Sequence, residues 1–335
     1  MKQIVVFFIG FFLTLAILDW FVRLAYVENT SPTDFTEQYG RCRVANKDFV
    51  YFNEGFGIGR FNEGRYLGNY YTPQKPDNVI RIAALGDSYV EGFQVFERDH
   101  FLTLLEGKLN ESRLDSFQVL NFGRSGFDFG DMYAYYERIV KPYDCDIVLF
   151  FVSNADLNIQ QTDPLIPRVQ KTQDGKLIIT NEEFPKIYLK NYLTQKMLAH
   201  RSTIFQMLNN SRKLVIAGEL NHKLFDKFAY MFKEENRSKS TSDIPVADLS
   251  FNIIDYLVKE KPDFYIINRD NRLLNNTFTD ALPSQIHYID LYSNSKLYKS
   301  NKDYHFWKAT KKSGHWIGEG HKIVSEYLFD TLNHK

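Results

Sequence analysis

The stretch Arg81-Ile82-Ala83-Ala84-Leu85-Gly86-Asp87-Ser88-Tyr89-Val90-Glu91-Gly92 is a short apolar run that stops at a small, polar turn carrying a serine. An unbroken run of Ile, Ala and Leu suits a strand buried on both faces, as in a parallel sheet. Such sheets place their ligands at the carboxyl ends of the strands. Ser88 stands at such an end, where a nucleophile would meet a substrate. The tetrad alone leaves the choice open, because Gly, Asp and Ser also build ordinary turns and helix N-caps.

Further strand-like runs end in the same way. Phe117 to Phe122 leads into Gly123-Arg124-Ser125-Gly126, and Asp146 to Val152 leads into Ser153-Asn154-Ala155-Asp156. Near the C-terminus Ser313-Gly314-His315-Trp316-Ile317-Gly318-Glu319-Gly320-His321 precedes an amphipathic stretch. Period and composition predict strands at 79–85, 117–122, 146–152, 263–268 and 286–291, with helices near 99–111, 128–140, 245–260 and 317–333. Alternating strands and helices imply an α/β fold, a parallel sheet covered on both faces. In the last helix Val324, Leu328 and Leu332 recur at helical spacing and form the expected buried stripe.

The order Ser, Gly, Asn, His resembles that of the SGNH hydrolases, the GDSL esterase/lipase superfamily, over roughly residues 78–160 and 285–333. Gly86-Asp87-Ser88-Tyr89 matches the family's opening block, and Asn121 to Gly126 looks like the second. Ser153 to Asp156 departs from the usual Gly-x-Asn-Asp but keeps Asn154, and Gly314-His315-Trp316 looks like the final block. The resemblance implies a three-layer, doubly wound, flavodoxin-like sheet with Ser88 as nucleophile and His315 as base. It also implies an oxyanion hole made of the Ser88 and Gly126 backbone N–H groups and the Asn154 amide. Acyl-ester chemistry needs one of each: nucleophile, base and preorganised donors. No Gly-x-Ser-x-Gly elbow is present.

Family members usually carry an aspartate two or three residues before the histidine, where this chain has Lys312 and Ser313. Three substitutes stay open: a backbone carbonyl near those residues in a Ser-His dyad, Asp303 or Asp290 from neighbouring loops, or a site without catalysis. Hydrolysis, acyl transfer with the same residues, and a non-catalytic glycan- or partner-binding role are therefore all carried forward. His305, His315 and His321 match no compact zinc motif, and no metal or cofactor is expected.

Lys plus Arg and Asp plus Glu number 41 each in 335 residues. Such a balance gives no electrostatic case for nucleic acid. Aromatic residues make up 16% of the chain, which suits a large core and glycan-stacking surfaces. Ile4 to Val27 is nearly uncharged, preceded by Lys2, with Trp20 and Tyr26 suited to an interface and a poor cleavage site at its end. It reads as a single-pass signal anchor (1–27) that leaves the rest of the chain on the periplasmic or extracellular side. Residues 28–77 read as an irregular lead-in, 78–335 as the SGNH-like domain, and 157–244 as an insertion with an Asp174-Gly175 hairpin and a lid-like remainder. The pairing of Cys42 and Cys145 is left open. The expected partners are an acyl-ester substrate, with an O-acyl (chiefly O-acetyl) ester of an envelope glycan or lipid the expected class, and the membrane.

Overall fold

The computed structural model describes residues 2–24, 32–52, 54–112, 115–180, 184, 186–204, 244–300 and 302–333. The chain divides into two compact units, one of residues 1–29 and 185–242, the other of 30–184 and 243–335.

In the first unit the helix α1 (Lys2–Leu24) contains a 21-residue stretch, Lys2–Val22, with a mean hydropathy of 2.4 over its best window and no buried share. At 1.5 Å per residue this covers about 30 Å, the thickness of a hydrocarbon core. It is long and apolar enough to cross a membrane. The Asp19 carboxylate of α1 accepts hydrogen bonds from Ser202 Oγ (2.9 Å) and Ile204 N–H (3.0 Å).

The second unit opens with two antiparallel pairs, β1 (Thr33–Thr36) with β2 (Gly40–Arg43), and β3 (Asp48–Tyr51) with β4 (Gly57–Arg60). The lead-in thus carries paired strands over 33–60, too short at four residues each for periodicity to reveal, and runs irregularly from 61 to 78 apart from the single Leu67–Asn121 bridge. There follow β5 (Val79–Leu85), α2 (Ser88–Glu91), α3 (Phe101–Ser112), β6 (Ser116–Asn121), α4 (Phe129–Tyr135), β7 (Ile147–Val152) and α5 (Asn154–Leu157). The hairpin β8 (Arg168–Lys171) and β9 (Leu177–Thr180) turns at Asp174-Gly175 as its sequence requires. The chain then contributes α6 (Lys186–Arg201) to the first unit and returns through α7 (Asp248–Leu257), β10 (Asp263–Asn268) and β11 (Ile286–Asp290). It closes with β12 (Phe306–Trp307), β13 (Lys312–Ser313) and α8 (Gly318–Asn333).

The five long strands form one parallel sheet in the order β11-β10-β7-β5-β6. Numbered by their own sequence this is 2-1-3-4-5, the flavodoxin-like order, with its switch point between β5 and β7. The α/β fold and all five strand positions expected from sequence are present. Successive residues of β5 feed opposite faces. Ala83 and Leu85 join a core with Phe129 and Met132 of α4 and Ile253 and Leu257 of α7, while Ile82 and Ala84 join Phe101 and Leu105 of α3 and Val324, Leu328 and Leu332 of α8. Burial on both faces explains why these strands read as unbroken apolar runs.

Of the insertion, 157–184 belongs to the sheet-bearing unit, where Val169 is buried and Leu177 N–H donates to Tyr256 Oη (3.0 Å). Residues 185–242 group with α1. The lid-like remainder falls largely on 205–243, outside the described residues. Cys42 and Cys145 are both buried and free.

Candidate active site

β5 ends at the switch point, and Asp87 caps the turn that follows by accepting the Tyr89 N–H (3.0 Å). Ser88 is thereby the first residue of α2, half-buried at the carboxyl edge of the sheet. His315 reaches it from the far end of the chain. The short β12–β13 pair fixes the approach, with Gly314 N–H donating to His305 O (3.0 Å) and Trp307 Nε1–H to His315 O (3.0 Å). Tyr89 packs against the imidazole with ring centroids 4.6 Å apart.

His315 Nε2 lies 2.7 Å from Ser88 Oγ, and His315 Nδ1 lies 2.7 Å from Glu54 Oε2. The same carboxylate oxygen accepts the His315 backbone N–H (2.9 Å). A carboxylate can only accept, so the ring proton sits on Nδ1 and Nε2 is left to accept the serine proton. Burial opposes ionisation of Glu54, but the ring and backbone hydrogen bonds from His315, its charge and that of Lys312 outweigh it, holding the carboxyl below its usual range. Glu54 is itself fixed: Thr310 Oγ1 donates to its carbonyl (2.5 Å). A side chain at Gly314 would run into its carboxylate, with a Cβ only 2.4 Å from the carboxyl carbon.

Glu54 is the residue sequence reasoning missed. It lies in the loop between β3 and β4, 261 positions before His315, and nothing in Asn53-Glu54-Gly55 marks it out. Neither aspartate considered from sequence reaches the histidine. Asp303 accepts the His305 backbone N–H (2.9 Å), a local turn contact. Asp290 is 6% exposed and accepts from Asn268 Nδ2 (2.7 Å) and from Tyr292 N–H (3.1 Å), capping the one-turn helix Leu291–Asn294.

The loop after β6 lies directly against α2. Arg124 N–H donates to Gly86 O (2.9 Å), and a Cβ at Gly123 would come within 2.4 Å of the Glu91 backbone nitrogen, so only glycine permits this approach. Ser125 donates both its N–H (2.8 Å) and its hydroxyl to Glu91. Gly126 follows at φ +85°, a conformation that costs side-chain-bearing residues energy. Among the described residues the backbone N–H groups of Ser88 and Gly126 have no hydrogen-bond partner.

Asn154 sits at the next strand end but is otherwise occupied. Its Nδ2 donates to Leu273 O (2.9 Å) and Asp270 Oδ2 (3.3 Å), and its Oδ1 accepts the Asn275 N–H (2.8 Å). Both ends of the amide hold the 270–275 loop. The structure therefore brings Ser88 and His315 together and leaves the Asn154 amide turned to that loop.

Two buried ion clusters brace the site. Glu91 is fully buried and takes both Nε and an Nη2 of Arg43 at 2.7 Å. Burial pushes its carboxyl up, but Arg43, Arg124 and Ser125 bring it below the ordinary value. Arg124, buried beside it, is pulled down to about 10 by that burial and by Arg43. In the second cluster Arg269 Nη2 contacts Asp87 (2.6 Å), Asp156 (2.9 Å) and Ser153 Oγ (3.2 Å). Burial raises Asp156 to about 6 against the pull of Arg269.

No protein-family model and no curated protein matches this sequence. The fold is similar to several solved structures. A G-D-S-L family lipolytic protein from Desulfitobacterium hafniense DCB-2 aligns at 12% identity and a TM-score of 0.37, over 75% of this chain and 98% of its own. The lipase Lip_vut3 from a goat rumen metagenome aligns at 14% and 0.34, over 74% and 95%. A two-domain esterase active on acetylated mannans aligns at 11% and 0.36 over 76% of this chain, which spans 49% of that one.

Proposed function

We propose that this protein is a serine esterase in which Ser88, His315 and Glu54 form the catalytic triad. The observation that carries this reading is the continuous relay Ser88 Oγ, His315 Nε2, His315 Nδ1, Glu54 Oε2, both links 2.7 Å long. Serine oxygen attacks the ester carbonyl as His315 takes its proton. The carbonyl electron pair moves onto oxygen, and the backbone N–H groups of Ser88 and Gly126 receive it. Collapse breaks the bond to the alcohol, which leaves with the proton from His315. Water then repeats the sequence on the acyl-enzyme. Glu54 stays ionised throughout, holding the tautomer and stabilising the imidazolium.

The substrate class we assign is an O-acyl, chiefly O-acetyl, ester on an envelope glycan, supported by the partial exposure of Ser88 and His315 and by exposed aromatic rings such as Phe56 and Tyr292. We place the sheet-bearing unit outside the membrane, held by α1 with Lys2 on the cytoplasmic side.

The test is hydrolysis of p-nitrophenyl acetate by the full-length protein in detergent, beside Ser88→Ala and His315→Ala. Turnover is expected in the parent and loss of roughly three orders of magnitude or more in each variant. Equal rates in all three proteins would overturn the reading.

A further inference from the structure

The Asn154 amide is spent on the 270–275 loop, so a side-chain donor for the oxyanion must come from elsewhere. Arg269, the residue after β10, is placed for it. Its guanidinium is held against both neighbours of Ser88: Nη2 is 2.6 Å from Asp87 Oδ2, and Cζ lies 4.6 Å from the centre of the Tyr89 ring. Tyr298 Oη donates to the Arg269 carbonyl (2.8 Å), and Arg269 N–H donates to Val152 O (3.0 Å), so the backbone carrying it is fixed.

Among the described residues all the polar contacts of this side chain fall on one nitrogen. Nη2 serves Asp87, Asp156 and Ser153, whereas Nε is buried with no partner. Nη1 also makes no hydrogen bond to a described residue, yet it is not among the sealed atoms, and the side chain keeps 11% of its surface exposed. A guanidinium has five N–H donors in a rigid fork. An unpartnered buried donor costs stability. Unspent donors on a cation beside a nucleophile suit a charge that exists only during reaction.

We propose that Arg269 is a further catalytic residue: its unspent Nη1 donors stabilise the oxyanion formed when Ser88 attacks, in the role that the resemblance assigned to the Asn154 amide. This rests on the serine-esterase reading. Addition puts the carbonyl π pair on oxygen, where Arg269 joins the Ser88 and Gly126 N–H groups. Collapse returns the pair to the carbonyl as the alkoxide leaves with the His315 proton, so Arg269 gains and loses no proton. Asp87 and Asp156 fix the fork and offset its charge before the substrate arrives.

The experiment compares the full-length protein in detergent with Arg269→Gln, Asn154→Ala and Ser88→Ala. It reads p-nitrophenyl acetate kinetics and, by intact mass, the rate at which an alkyl fluorophosphonate modifies Ser88. That reagent forms an oxygen–phosphorus bond to serine, expels fluoride and leaves its phosphonyl oxygen in the oxyanion position. Arg269→Gln is expected to lower kcat about 10²- to 10³-fold with KM little changed, and to slow phosphonylation similarly. Asn154→Ala is expected to stay within about tenfold of the parent in both readouts. Arg269→Gln at parental kcat, or Asn154→Ala carrying the hundredfold loss, would overturn the proposal. If Arg269→Gln does not fold, Arg269→Gln/Asp156→Asn removes one of the two orphaned carboxylates and is read by the same criteria. Parent and Ser88→Ala with equal turnover and no phosphonyl adduct would instead overturn the esterase reading itself.

Discussion

The carboxyl edge of the parallel sheet and the lead-in at 33–60 both supply the candidate site, but by different physical routes. The sheet edge presents Ser88 because a strand buried on both faces has one place to stop, and the polar turn must come there. The lead-in delivers Glu54 to His315 and Arg43 to Glu91 across 261 and 48 positions of sequence. Its strands are short, and the contacts that matter are single side chains, not a repeating face. A residue placed by a periodic element can be found from sequence; one placed by a long-range loop contact cannot.

If the lead-in is an integral part of the site, breaking its anchors should damage more than its own two hairpins. Arg43→Met leaves Glu91 buried at 3% side-chain exposure without its principal counter-ion. A loss on the order of 3 kcal/mol is expected in urea unfolding, with the loop carrying Ser125 and Gly126 released. Unchanged stability would show that Arg124 alone satisfies Glu91. Gly314→Ala attacks the other anchor, because its Cβ meets the Glu54 carboxylate. A fall of about 100-fold in kcat, with the unfolding midpoint nearly unchanged, is expected from displacing the acid. Parental kcat would mean that the Glu54 contact is dispensable.

The sheet side has its own pH signature, independent of the lead-in's acid. His100 is buried with Nε2–H donating to Val90 O (3.0 Å) and Nδ1 accepting the Leu102 N–H (3.2 Å), and burial drives it down to about 4. His321, its ring centroid 5.0 Å away and tilted by 50°, is likewise lowered by burial and by its imidazole neighbours. A histidine in the unfolded chain titrates near about 6.5. The unfolded state therefore binds more protons in the window between, so stability is full above that range and falls as pH drops toward 4. At pH 5 the loss from His100 is on the order of 2 kcal/mol. Urea midpoints at pH 7.5 and 5 measure it, and His100→Gln should flatten the difference. The smallest effect belongs to Asp303→Asn: Asp303 makes a local turn contact, so kcat should stay within about twofold, whereas a large loss would reinstate it as the orienting acid.

Legibility from sequence follows the same division. All five sheet strands were readable because Ile82 to Leu85 and their counterparts are buried on both faces. Val324, Leu328 and Leu332 gave away α8 by their spacing. Ser88 and His315 were readable through strand ends and block order. Asn154 was found as a residue but not as a contact, because an amide's direction depends on which carbonyls the 270–275 loop offers it. Glu54, and with it the failure of Asp303 and Asp290 to meet His315, depended on how a hairpin loop folds back over β12 and β13.

The most direct test of the account is Glu54→Gln in the full-length protein, with p-nitrophenyl acetate turnover measured beside the parent and thermal unfolding as the control for folding. Glutamine keeps the shape but can present a donor to Nδ1, which permits the wrong tautomer, so kcat should drop by about three orders of magnitude or more at an unchanged unfolding temperature. A Glu54→Gln protein that folds and turns over at the parental rate would contradict the triad and return His315 to a dyad.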